Sequence, residues 1–255
     1  MADPDISGAR RAARGIIAEY GITDPCGICL PDIAFARNVI VREEELIGAE
    51  GRLLRQGSWG VVRVRRNAAY PGRTRFSIGH ELGHWERHMR ISQAWLCSSR
   101  EIHAYSGSAA ELEANAFAGE LLMPATMLKP RIHSGLGMKM LCDLADEFKT
   151  SLTATAVRAI QETDEDAYVI FSQEGVIQWC SRSRRADRFI PRGFCTRDNS
   201  HALDCRNTPE NSCGMQEVDT DAWFDHRHGD ERIDVWEESV CFPDLGTVMT
   251  LLSLA

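Results

Sequence analysis

The pentapeptide His80-Glu81-Leu82-Gly83-His84 constrains this chain more than any other feature. It lies in a segment from about Thr74 to Met89 in which apolar residues recur every three or four positions, which predicts a helix with one buried face. Histidines four apart on a helix lie about 40° apart around the axis and about 6 Å along it, so both imidazoles can bind one metal ion. Glu81 lies on the neighbouring flank, where it can take a proton from an attacking water molecule as a general base.

A second predicted helix, from Ser108 to Leu122, offers the third ligand that a catalytic zinc site needs. Glu111 and Asn115 lie four apart on one face, so Glu111 can bind the metal while Asn115 hydrogen-bonds a ligand histidine. Glu113 is the alternative ligand, and it lies about 200° around the helix from Glu111, so the two cannot reach one metal. Ser108-Ala109-Ala110-Glu111 also fits a capping box, in which Glu111 would turn back to the Ser108 amide.

Other residues near these helices are candidates for supporting roles. Two imidazoles and a carboxylate suit Zn²⁺, and Mn²⁺ or Fe²⁺ can fill the same set of ligands. In the connector between the helices, His103 and Tyr105 are candidate donors to a developing oxyanion, with a solvated loop as the alternative. His88, one turn beyond His84, is expected beside the ligands or at the rim of the cleft rather than on the metal.

Length and periodicity predict an α+β protein with two domains. The hydrophobic fraction of 44% and the charged fraction of 26% are typical of soluble globular proteins. We expect a core of helices with a small sheet at 1–165, including a helical pair at about 138–161, and a small β-rich domain at 166–255. Val61 to Val64 belong to a predicted strand with one solvated face, which we expect to pair with an extended substrate at its edge.

Charge and cysteine content exclude several classes of protein. The formal net charge of −8 disfavours binding to nucleic acid, and the second helix of the pair carries a single basic residue, Arg158, so we interpret it as a packing helix. No basic segment precedes an apolar stretch at the N-terminus, and no run of 18 apolar residues occurs, so we expect a cytoplasmic protein without membrane contact. Nine cysteines indicate reduced thiols. We interpret Cys26, Cys29 and the group Cys195, Cys205 and Cys213 as small buried apolar residues rather than as zinc or redox sites.

Taken together, the two motifs carry a family resemblance. Arg75 to His84, followed by Glu111-Leu112-Glu113-Ala114-Asn115-Ala116-Phe117-Ala118-Gly119-Glu120-Leu121-Leu122-Met123-Pro124, resembles the ImmA/IrrE family of zinc metallo-endopeptidases. The likeness runs from about Asp32 through Pro124 and continues more weakly through Leu144 to Ser151 and into the final strands.

The resemblance implies a zincin-like fold and a function. Members of this family cut helix-turn-helix transcriptional repressors and so release stress-response or mobile-element genes, and some carry a sensor-like C-terminal domain. By this resemblance, a DNA-binding repressor is the expected substrate. The alternative is a non-catalytic protein that keeps the metal, either as a sensor or as a partner in a toxin–antitoxin pair. An intact Glu81 argues against that alternative, because a structural metal site does not need this carboxylate.

Overall fold

A computed structural model describes residues 3–46, 49–67, 69–88, 94–97, 108–132, 135–207, 214–225, 233–242 and 246–255. Within these residues the chain forms eight α-helices and two sheets, which confirms the predicted α+β class. It divides into two compact units, Met1–Leu128 with Ala145–Ala154, and Lys129–Leu144 with Thr155–Ala255. The domain boundary expected near residue 165 stays a prediction. No helix among the described residues is long and apolar enough to cross a membrane.

The first unit combines helices with a four-stranded sheet. Its helices are α1 (Ile6–Glu19), α2 (Leu30–Ala36), α3 (Pro71–His88), α4 (Ala109–Leu122) and α5 (Ala125–Leu128). Its strands are β1 (Val39–Glu44), β2 (Gly51–Gln56), β3 (Trp59–Arg65) and β4 (Ala94–Cys97). The sheet has the order β1-β3-β2-β4, in which β1 and β3 are parallel and the other pairs are antiparallel. Strands β2 and β4 were not predicted.

Strand β3 lies inside this sheet, so the expectation that Val61 to Val64 offers an open edge is wrong. Val62 pairs with Val41 of β1 on one side and with Leu53 of β2 on the other. The alternation in β3 was interpreted correctly, since Val62 and Val64 are buried. Alternation reports which face of a strand is buried, but it carries no information on whether the strand has one neighbour or two.

Small residues let α3 and α4 approach each other closely. A Cβ atom at Gly83 would lie 3.0 Å from the Cα atom of Ala114, and one at Gly79 would lie 3.3 Å from the Cβ atom of Ala118. These contacts leave no room for larger side chains along the line where the helices meet. Because the helix backbones are so close, side chains on either side of this line of contact on one helix can touch those of the other helix.

The second unit is built on a five-stranded antiparallel sheet. The helices α6 (Met138–Phe148) and α7 (Leu152–Glu162) are divided between the units, since Ala145–Ala154 belong to the first. They are followed by β5 (Asp166–Gln173), β6 (Val176–Arg182), α8 (His201–Asn207), β7 (Gln216–Val218), β8 (Val235–Phe242) and β9 (Thr247–Leu254). The sheet order is β6-β5-β9-β8-β7, in which β5 with β6 and β8 with β9 are antiparallel pairs. Its core includes Tyr168, Trp223 and Phe224.

Two buried charged groups of the second unit are satisfied within it. Arg158 of α7 is buried and forms an ion pair with Glu162, so its charge is not available to nucleic acid. Glu237 of β8 is also fully buried, and its carboxylate accepts hydrogen bonds from the Ala202 amide at 2.6 Å and from the Trp223 indole at 2.7 Å.

Candidate metal centre

The structure brings His80, His84 and Glu111 together between α3 and α4. The two Nε2 atoms lie 3.1 Å apart, and the Glu111 carboxylate lies 3.1 Å from Nε2 of His80 and 3.3 Å from Nε2 of His84. Both histidines are fully buried and Glu111 is nearly so. The two contacts of Glu111 involve different oxygens, Oε2 towards His80 and Oε1 towards His84. One ligand atom from each of the three residues lies within 4.8 Å of the other two, which is close enough for all three to bind one metal ion.

Glu111 and Glu113 point to different sides of α4. The Ser108 hydroxyl caps the helix by accepting a hydrogen bond from the Glu111 amide at 3.4 Å, so the hydroxyl half of the capping box is formed. The Glu111 carboxylate does not complete the box, because it lies against the two histidines. The Glu113 carboxylate instead lies 3.0 Å from Nε of Arg87 and 3.2 Å from Nε2 of His88. Only Glu111 therefore faces the imidazole pair.

Asn115 sets the proton position on His80. Its side-chain oxygen lies 2.9 Å from Nδ1 of His80, and a carbonyl oxygen can only accept, so Nδ1 carries the hydrogen. In a neutral imidazole this leaves a lone pair on Nε2, the atom that faces Glu111 and His84. This is the hydrogen bond predicted from the spacing of Glu111 and Asn115.

The charges of the cluster suit a divalent cation. Burial lowers the pKa of His84 to about 4, although its interaction with the nearby Glu111 carboxylate opposes the change. Burial alone would raise the pKa of Glu111, but its interactions with the two neighbouring histidines outweigh this and hold the pKa well below its usual range. At neutral pH the site therefore presents a neutral imidazole at His84 and an ionised carboxylate, which are the forms that bind metals.

Glu81 of α3 is fully buried, and its carboxylate lies against Gly51, the first residue of strand β2. A Cβ atom added to Gly51 would lie only 2.1 Å from Oε1 of Glu81, so the carboxylate rests directly against the backbone of β2. Sequence reasoning missed this contact, because β2 was not predicted. The signal in the sequence is Gly51 itself, because a glycine in a strand often marks a place where another group approaches the backbone closely.

The remaining candidates have mixed outcomes. His103 and Tyr105 lie outside the described residues, so their proposed role as oxyanion donors stays a prediction. Cys205 is buried as expected, but Cys26, Cys29 and Cys195 are exposed, so the expectation of burial is wrong for these three. Cys26 and Cys29 lie in the short turn before α2 and at its N-cap, where side chains project into solvent. Cys213 lies outside the described part of the chain.

Comparison with known proteins agrees with the motifs. The model of the IrrE N-terminal-like domain, a peptidase family, matches residues 37–159, which confirms the resemblance stated above. Among solved structures, a Mycobacterium tuberculosis transcriptional regulator is similar with a TM-score of 0.59 and 14% sequence identity, over 97% of this chain and 88% of that chain. At this identity the likeness shows a shared fold alone. No curated protein matches the chain.

Proposed function

We propose, from the match of residues 37–159 to the model of the IrrE N-terminal-like domain, that the chain is a zinc-dependent endopeptidase that cleaves a DNA-binding repressor. The observation that carries the proposal is the buried cluster of His80, His84 and Glu111, whose ligand atoms lie within 4.8 Å of one another. Glu81, next to His80 in sequence, is the only residue of the HExxH motif that supplies a carboxylate.

In this mechanism each residue of the cluster has a separate task. His80, His84 and Glu111 would hold the metal, and Asn115 would keep the Nε2 lone pair of His80 directed at it. When bound, zinc would supply Lewis acidity that lowers the pKa of the attacking water towards about 7. Glu81 takes the proton of this water and delivers it to the leaving amine. Mn²⁺ or Fe²⁺ would suit the same donors.

We place the substrate along β4. In the described part of the sheet β4 is an outer strand that pairs with β2, and its Cys97 lies opposite Gly51. Gly51 in turn contacts the Glu81 carboxylate. An extended peptide that adds to the outer edge of β4 would lie two strand spacings, about 10 Å, from β2. Edge pairing needs a segment whose backbone is free of other partners.

The expected substrate is a folded DNA-binding regulator in the cytoplasm. The net charge of −8 favours encounter with a basic protein and disfavours binding to DNA itself. The solved structure that shares this fold is named a transcriptional regulator. On this view the products are two fragments of one repressor, cut at a single exposed segment, and unrelated unfolded proteins are cut poorly.

Purified protein loaded with zinc tests the proposal in two steps. Metal analysis should find about one ion per chain, and the double variant His80→Ala, His84→Ala should lose it. Incubation with candidate repressors, followed by mass spectrometry, should then show one cleavage site. Glu81→Gln should keep the metal and abolish cleavage, because the amide cannot accept a proton. Glu86→Gln, the same change on α3 in a residue that pairs with Arg37, should cleave normally.

Three results would contradict the proposal. Stoichiometric metal in the double histidine variant would show that His80 and His84 are not the metal ligands. Equal cleavage by the wild-type protein and Glu81→Gln would assign the hydrolysis to a contaminant. Metal binding without cleavage of any repressor would favour the alternative of a non-catalytic sensor or a toxin–antitoxin partner.

A further inference from the structure

We propose that His88 and Glu113 form a hydrogen-bonded relay that holds His84 in the tautomer that binds metal. The proposal rests on the proposed function, because it assumes that Nε2 of His84 is a metal ligand. His88 is then a positioning residue, since it acts through His84 and does not itself reach the metal.

The relay is a continuous chain of three side chains. Nδ1 of His84 lies 2.9 Å from Nδ1 of His88, and Nε2 of His88 lies 3.2 Å from the Glu113 carboxylate. His88 is one turn beyond His84 on α3, and Glu113 extends from α4. His88 is only 2% exposed, so water does not compete freely for its ring nitrogens.

When a metal ion is bound to Nε2 of His84 at one end and the Glu113 carboxylate stands at the other, the direction of every hydrogen bond in the relay is fixed. The Glu113 carboxylate can only accept, so Nε2 of His88 carries a hydrogen. Nδ1 of a neutral His88 is then an acceptor, and the hydrogen between the two Nδ1 atoms belongs to His84. This leaves the lone pair of His84 on Nε2, which faces Nε2 of His80 and Glu111. The opposite direction would put a hydrogen on Nε2 of His84 and exclude a metal.

The position of Glu113 is itself held from three sides. Its Oε2 atom accepts from Nε of Arg87 at 3.0 Å as well as from His88, and its Oε1 atom accepts from the Asp5 amide at 3.0 Å. Nη2 of Arg87 also binds the Asp5 carboxylate at 3.0 Å. A carboxylate with this many partners has little freedom to swing towards the metal or away from His88.

The two predicted ligand histidines therefore have different supports. His80 donates to a neutral amide, Asn115, whereas His84 donates to an imidazole that is backed by a charged carboxylate. A carboxylate behind a ligand histidine raises the basicity of the ring and fixes its orientation. We infer that the relay increases metal affinity chiefly through His84.

Zinc affinity, measured by competition with a chromogenic chelator, tests the relay independently of catalysis. His88→Leu removes the acceptor and should raise the zinc dissociation constant about 10- to 100-fold, the usual effect of losing such a partner. His88→Gln should restore most of the affinity, because its amide oxygen can accept from His84 while its amide nitrogen donates to Glu113. Glu120→Gln, which alters another buried carboxylate of α4, should leave the affinity unchanged.

A second measurement reports the tautomer directly. In the zinc-loaded wild-type protein, ¹H–¹⁵N correlation spectra of the histidine rings should show the hydrogen of His88 on Nε2 and that of His84 on Nδ1. Circular dichroism and thermal melting of the metal-free variants establish that each one is folded before its affinity is compared.

The outcomes separate the relay from the proposed function. A wild-type protein that binds no zinc would overturn the proposed function, and the relay with it. A wild-type protein that binds zinc while folded His88→Leu binds it equally well would overturn the relay alone. Equal losses in His88→Leu and His88→Gln, or a hydrogen on Nδ1 of His88 in the spectra, would also overturn it.

Discussion

Gly51→Ala should reduce peptide hydrolysis without loss of the metal, because Gly51 contacts Glu81 and none of the three predicted ligands is among its nearest neighbours. The added methyl group would lie 2.1 Å from Oε1 of Glu81, 2.9 Å from its Cδ and 3.0 Å from its Cγ. Ordinary contact between a methyl group and an oxygen begins at about 3.4 Å, so the carboxylate must move by more than about 1 Å. The φ angle of Gly51 is not in the left-handed region, so the backbone itself accepts alanine.

The size of the effect follows from what moves. The displaced atoms belong to the end of a flexible side chain, so the free energy of unfolding should fall by only about 1 kcal/mol, the low end of the cost of overpacking. A general base that is displaced by about 1 Å can lose about 100-fold in rate, because proton transfer requires hydrogen-bond geometry. The same substitution therefore has a small effect on stability and a large effect on turnover.

Three assays on one preparation measure these effects. Metal analysis should give wild-type stoichiometry, urea unfolding should show the small loss of stability, and cleavage of the repressor should be about 100-fold slower. Gly15→Ala is the matched control, since a Cβ atom there meets nothing within 4 Å, and it should cleave at the wild-type rate. Wild-type turnover by Gly51→Ala, or loss of its metal, would refute the assignment of Gly51 as the support of Glu81.

Three further predictions concern single side chains. Glu111→Ala should weaken zinc binding far more than Glu113→Ala, since Glu113 is separated from the histidine pair by His88; the reverse order in a chelator competition would transfer the ligand role to Glu113. Asn115→Leu should raise the zinc dissociation constant about 10-fold or more in the same assay, because His80 would lose the acceptor that fixes its tautomer. Burial raises the pKa of Glu237, although hydrogen bonds from Trp223 and neighbouring groups oppose the change. As the pH rises, Glu237 therefore loses its proton in the unfolded chain before it does so in the folded protein. The free energy of unfolding should fall as the pH rises above about 4.3, the usual pKa of a glutamate. Glu237→Gln should remove that loss, and parallel urea-unfolding stabilities of the two proteins between about pH 4 and pH 7 would contradict it.

The parts of the site that follow helical periodicity could be predicted from the sequence. His80 and His84 are four residues apart on one helix, and Glu111 and Asn115 are four residues apart on another, so each pair shares a face whatever the tertiary structure. These two faces form one cluster once the two helices pack against each other. That is why the histidine pair and its carboxylate could be named before the fold was known.

The parts that depend on the sheet could not be predicted. Only the first half of β2 alternates between buried and exposed positions, because Arg55 and Gln56 extend into solvent, and β4 has just four residues. Neither strand has the regular alternation that indicates a strand. Without β2 there was no reason to connect Gly51 with Glu81, and without β2 and β4 together the position of β3 inside the sheet could not be recognised.

The close packing of α3 on α4 explains why two carboxylates of one helix serve different histidines. Glu111 and Glu113 are about 200° apart around α4 when counted through Leu112. Ala114, which contacts Gly83, lies on the shorter arc that joins them around the other side of the helix. The line of contact therefore separates the two carboxylates, so that Glu111 contacts His80 and His84 while Glu113 contacts His88. Because the small residues fix this line, neither glutamate can take the other's place without a rotation of α4, which the contact of Gly83 with Ala114 opposes. Gly83, the glycine of the HExxH motif, thus fixes the position of α4 on α3 and, through it, the position of Glu111 beside the two histidines.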